Sequence, residues 1–151
     1  MQKAPERVTS RADAETLVAG ALAAMRDLEA ALKEETALVR VGRIRDGLAP
    51  EARKGELAAG YMRVLEAVKA NAVALARFAP DAVERLKSAH AGFSRTVEDN
   101  RIVLATARAV SEGLVRSLSD EVARASRPAT YAPAGPARGA RAEPLVVSRS
   151  L

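Results

Sequence analysis

The chain has no cysteine, no tryptophan and one histidine, and its only aromatic side chains are Tyr61, Phe78, Phe93 and Tyr131. The lack of cysteine excludes disulfides and thiolate metal sites and leaves the compartment open. The lone His90 has no Asp or Glu four residues away on the same face, so the sequence assembles neither a metal cluster nor a catalytic triad. No nucleophile–base pair is apparent either; the expectation is a non-enzymatic protein with no cofactor. Long apolar runs are also missing. Uncharged stretches reach only about ten residues, as from Thr16 to Met25, far short of a membrane span. The opening MQKAPERVTSR lacks the apolar stretch of a secretory signal, which makes a cytoplasmic protein the expectation.

What is present is mostly alanine and charge. Of 151 residues, 48% are apolar, but 34 are alanine, which favours helix while burying little area. A thin helical assembly is expected rather than a thick globule. The net charge is +5, from 19 arginines and five lysines against 19 acids. Four arginines and one acid between Arg127 and Leu151 give that stretch +3, leaving +2 for residues 1–126. Arg138, Arg141 and Arg149 offer a nucleic-acid footprint, but a near-neutral body and the lack of interleaved aromatics argue against one.

The apolar pattern is helical throughout. Ser10 and Asp13 form a capping signature. Val18, Ala21, Met25, Leu28, Leu32, Glu35 and Val39 then recur at 3–4 spacing, predicting a helix over 11–40. Gly42, Gly47 and Pro50 mark a connection over 41–50. A second helix over 51–78 places Leu57, Tyr61, Val64, Val68 and Leu75 on its buried side, with Gly55 and Gly60 weakening its start. Pro80 opens a third helix over 81–126, whose stripe runs through Leu86, His90, Phe93, Val97, Asn100, Leu104, Ala107, Ser111, Leu114 and Leu118. The acid-first pairs Asp81–Arg85, Glu112–Arg116 and Asp120–Arg124 are spaced to support it. Residues 127–151 change to Pro, Gly, Ala and Arg without period, predicting a disordered basic tail that ends in the apolar PLVVSRSL.

These elements predict an all-α fold: an elongated up-down-up three-helix antiparallel bundle or coiled coil with a flexible N-terminus over 1–10. The third helix, about 65–70 Å long, should outrun the first two. Its excess would begin near Val110 and expose Leu114, Val115, Leu118 and Val122, a stripe suited to a partner helix or to self-association into a homo-oligomer. Tyr131 with Leu145, Val146 and Val147 is a candidate linear motif that folds on binding.

Other candidates have plainer readings beside the functional one. His90 on an apolar stripe reads as a core or core-edge residue. Asn100 fits either a register-setting seam position or a half-exposed edge. Glu34, Glu35 and Lys54 fit solvated or cross-hairpin pairing better than acid–base catalysis, because a narrow Ala-rich bundle is expected to provide no pocket. Arg40, Arg43 and Arg45 read as a solvated loop or a small basic contact.

The pattern Glu35-x-x-Leu38, Gly42, Leu48, Lys54-x-x-Leu57, within roughly residues 15–70, resembles the FlgN family of flagellar export chaperones. That resemblance implies a cytoplasmic chaperone for hook-associated flagellar proteins awaiting type III export. It also implies a helical body and a C-terminal segment that engages client or export apparatus, with Tyr131 as the candidate for gate docking. Gly55 and Gly60 depart from the regular second helix of the family.

Overall fold

The computed structural model describes residues 7–127, which form five helices and, within that range, no strand. The all-α class follows from the periodicity just described. The chain divides into two compact units, Met1–Leu114 and Val115–Leu151.

Helix α1 spans Arg11–Arg40 and begins with a full capping box: the Asp13 amide donates to Ser10 Oγ at 3.1 Å, and the Ser10 amide donates to Asp13 Oδ2 at 3.0 Å. These bonds satisfy two amides that a helix start leaves without intrahelical partners. The hydrogen bonds from Ser10 and Thr9 also hold the Asp13 carboxyl below its ordinary pKa. Its buried residues include Ala14, Val18, Ala21, Met25, Leu28, Leu32, Glu35 and Val39. This is the seam on which the other helices pack.

Gly42, at φ 81°, turns the chain in the left-handed region that favours glycine. The expected connection is not all loop: α2, Ile44–Leu48, lies against the end of α1. Gly47 makes this close approach possible, since an added Cβ would stand 3.0 Å from Val39 Cγ2 and 3.3 Å from the Glu35 carbonyl oxygen.

The single second helix expected over 51–78 is instead two, α3 (Glu51–Ala70) and α4 (Ala72–Phe78), separated at Asn71. Asn71 Nδ2 donates to the Ala67 carbonyl at 2.9 Å, while Oδ1 accepts from the Val8 amide at 3.0 Å. Such side-chain bonding competes with the helix ladder. Here it also ties the segment before α1 to the break. Gly55 and Gly60, which looked like the weak points, lie within regular α3.

Helix α5 runs unbroken from Pro80 to Ala125. In unit one it contributes Ala82 to a cluster with Val8, Ala14, Val18, Leu75 and Ala79, and Phe93 to a second with Met25, Leu28, Leu32 and Tyr61. Tyr61 and Phe93 meet at 5.0 Å between centroids, tilted by 56°, a favourable aromatic geometry. Contacts between α1 and α5 ascend together: Arg11 with Asp81, Glu29 with Thr96, Glu35 with Asn100. Those from α1 to α3 and α4 descend, from Glu35 with Lys54 to Val18 with Leu75.

Candidate functional site

Three places combine chemistry with shape: a buried polar knot, an apolar cavity and an exposed aliphatic face. The knot joins α1, α3 and α5. Glu35, only 3% exposed, accepts from Lys54 Nζ on Oε1 at 2.8 Å and from Asn100 Nδ2 on Oε2 at 2.7 Å. Asn100 Nδ2 also faces Thr36 Oγ1 at 3.1 Å and the Leu32 carbonyl at 3.4 Å, and Lys54 makes a second ion pair with Glu51 at 2.9 Å. Burial works against the Lys54 charge, but hydrogen bonds and attraction from Glu35 and Glu51 outweigh it and raise its pKa above the ordinary lysine value. Beside this knot lies a recess of about 290 Å³ lined in part by Asp27, Glu34, Arg53 and Lys54, where no pocket was expected. Both Glu35 oxygens are committed to cations or amide hydrogens, so the recess presents no free buried base. Of the two readings of Asn100, the half-exposed edge is excluded, because the residue is buried and hydrogen-bonded.

A cavity of about 300 Å³ is lined by residues of α1, α3 and α5, including Met25, Tyr61, Leu65, Val68, Leu86 and His90. Its walls are mainly apolar. The Tyr61 hydroxyl is buried without a hydrogen-bond partner among the described residues, and desolvation raises its pKa. His90 is an exposed residue at the edge of this cavity rather than a core residue. Its Nδ1 stands 3.5 Å from Ser94 Oγ, and its ring lies 6.4 Å from that of Phe93. Among the described residues no group of His, Asp and Glu is arranged to hold a metal ion.

The aliphatic face lies on α5. Every residue from Arg108 to Arg127 is exposed, and Val110, Leu114, Val115, Leu118 and Val122 are each between 58% and 65% exposed. At about 100° per residue, Leu114, Leu118 and Val122 fall within roughly 80° of arc with Ala82, Phe93 and Asn100. The face that is buried earlier in the helix thus continues as an uncovered aliphatic one. Ion pairs support the helix here, though not all as expected. Asp81 pairs with Arg85 at 3.3 Å, but Glu112 is held by Arg108 at 2.8 Å rather than by Arg116. Among the described residues, Asp120 and Arg124 form no ion pair. At the α1–α2 connection, Arg43 pairs with Asp46 at 2.9 Å, as a solvated loop would.

Tyr131, Leu145, Val146 and Val147, the other expected contacts, lie outside the described residues. The sequence reading missed the Asn71 break and the Tyr61 cavity. Asn71 between two alanine-rich helical stretches is a local signal for the first. The second depends on how far α3 and α5 stand apart, which periodicity does not encode. No described helix is long and apolar enough to cross a membrane. Comparison with protein-family models, curated proteins and solved structures gives no match.

Proposed function

We propose that this chain is a non-enzymatic cytoplasmic export chaperone for hook-associated flagellar proteins. It would capture an amphipathic client helix on the aliphatic face of α5. The observation that carries this reading is the uncovered run of Leu114, Val115, Leu118 and Val122 on a continuous helix. Aliphatic side chains concentrated on one face and bathed in water are the ordinary mark of a protein-binding surface. The FlgN-like spacing around Glu35, Leu38, Lys54 and Leu57 supplies the client class. An up-down-up three-helix bundle, with α3 and α4 acting as one interrupted middle helix, belongs to the same proposal and agrees with the ascending and descending contacts of α1. Residues 128–151, with Tyr131, would assist at the export apparatus.

The test is co-purification with hook-associated proteins from a flagellated host, using wild type and the Leu114→Asp/Leu118→Asp variant. Client is expected with the wild type and not with the variant, while far-ultraviolet circular dichroism stays unchanged because both residues are exposed. Equal capture by the two proteins would remove α5 as the site. The same face also admits a homo-oligomer reading, since it is aliphatic enough to meet its own copy. Sedimentation over a concentration series separates them: a monomer that forms a one-to-one complex supports the chaperone, and a stable dimer lost in the double variant supports self-association. Affinity for nucleic acid that collapses with salt would point to neither.

A further inference from the structure

Among the described residues, one buried side-chain polar atom lacks a hydrogen-bond partner, and it belongs to a residue that lines a cavity. The atom is the Tyr61 hydroxyl, on a residue only 7% exposed. The cavity, of about 300 Å³, lies among α1, α3 and α5 within unit one. We propose that it binds a medium-chain carboxylate, with the alkyl chain against the apolar walls and the carboxylate held by Tyr61, Lys87 and His90. The site uses none of the residues from Leu114 to Val122, so it stands apart from the chaperone reading.

The lining is graded along the helices. Val68 and Val83 pack against the buried cluster of Val18 and Leu75, whereas Tyr61 belongs to the cluster of Leu28 and Phe93. His90 lies at the Phe93 end as well, with its ring 6.4 Å away, and Lys87 stands one turn before it on α5. One end of the cavity is therefore aliphatic and the other carries the polar groups, about 10 Å apart along α5 from Val83 to His90. Size limits the ligand. An apolar cavity of about 150 Å³ takes benzene, so this one has room for about twelve non-hydrogen atoms. The polar groups select its head. Lys87, His90 and Tyr61 can all donate hydrogen bonds, and a carboxylate only accepts them. Lys87 Nζ gives one hydrogen to Glu84 at 2.7 Å, and His90 Nδ1 stands 3.5 Å from Ser94 Oγ, which leaves the other ammonium hydrogens and the second ring nitrogen. Both partners of the Lys87–Glu84 pair are exposed, so a competing carboxylate displaces a weak interaction. A buried hydroxyl without a partner is costly, and an acceptor brought by the ligand removes that cost.

The test is a titration of the full chain with decanoate, below its micelle-forming concentration, followed by methyl resonances. Saturable one-to-one shifts are expected at Leu65, Val68, Val83 and Leu86. Tyr61→Phe keeps the ring against Phe93 and removes only the hydroxyl; it should weaken binding about five- to tenfold. Lys87→Gln, an exposed change that leaves the core intact, should weaken it roughly threefold. Decanol, with the same chain and no charge, should bind less tightly than decanoate to the wild type and lose that disadvantage in Lys87→Gln. Shifts that do not saturate, or that fall only on Leu114, Val115, Leu118 and Val122, overturn the site. Equal affinity for decanol and decanoate in the wild type, or Tyr61→Phe binding as tightly as the wild type, overturns the carboxylate assignment. Failure of client capture in the experiment on Leu114 and Leu118 leaves each of these outcomes untouched.

Discussion

Glu35 is tolerated at a nearly water-free position because each of its oxygens has a donor. Lys54 supplies a full charge at 2.8 Å, and Asn100 supplies an amide hydrogen at 2.7 Å from a different helix. A buried carboxylate that loses a partner costs far more than the bond itself contributes in the intact protein. Asn100→Ala should therefore destabilise the fold by about 1.5–3 kcal/mol, read as a lower urea midpoint with an unchanged slope. Asn100→Leu in a Glu35→Leu background should recover much of that loss, because the demand for a donor disappears with the carboxylate. The alkaline limb of stability carries a second signature. The Lys54 pKa is raised on folding, so its contribution is complete below the unfolded lysine value of about 10.4 and is lost as pH rises through the higher folded value. Thermal unfolding of Lys54→Met should thus show a shallower decline above about pH 10 than the wild type. Parallel alkaline limbs in the two proteins would contradict the role given to this lysine. The sequence made the cross-hairpin Glu35–Lys54 pairing readable, since the two residues bracket the connection. It left Asn100 ambiguous, because a polar residue on an apolar stripe is explained only by what stands opposite.

Among the elements, α1 and α3 show what periodicity captures and what it does not. The 3–4 recurrence from Val18 to Val39 identifies the buried seam of α1 because that face packs along most of its length. The second helix is less legible. Only Tyr61 in α3 and Leu75 in α4 are buried, while Leu57, Val64 and Val68 are half-buried, so the pattern reports a face without reporting its depth. The glycines were misleading for a similar reason. Gly55 has nothing within 4 Å of an added Cβ and lies inside a regular helix, so the backbone needs no glycine there. Gly55→Ala should stabilise the protein by about 0.5–1 kcal/mol, measured as a higher melting temperature. Gly47 has the opposite constraint, because a methyl group would press on Val39 and on the Glu35 backbone. Gly47→Ala should accordingly lower the melting temperature even though alanine is the better helix former. If both alanine variants shift stability in the same direction, the α1–α2 approach does not constrain Gly47 as the distances imply.

At the scale of the whole molecule, the described chain separates the work of folding from the work of presentation. Unit one contains both clusters of buried side chains. Unit two contains, among described residues, only exposed helix. The sequence foretold exposure near Val110 from helix lengths alone, an argument that required no knowledge of the packing. Exposure also sets local stability. Short helical segments in water are marginal without a packed face, even where exposed ion pairs such as Arg108–Glu112 add support. Native-state hydrogen exchange should consequently fall into two classes along α5. Amides near Phe93 and Asn100 should exchange only through large-scale opening, whereas those from Val115 to Val122 should exchange by local fraying, at least a hundredfold faster. Adding any ligand that truly sits on the aliphatic face should slow the second class and leave the first nearly unchanged. Uniform protection from Phe93 to Val122 in the isolated protein would mean that something already covers this face. Sedimentation over a concentration series then shows whether that cover is a second copy.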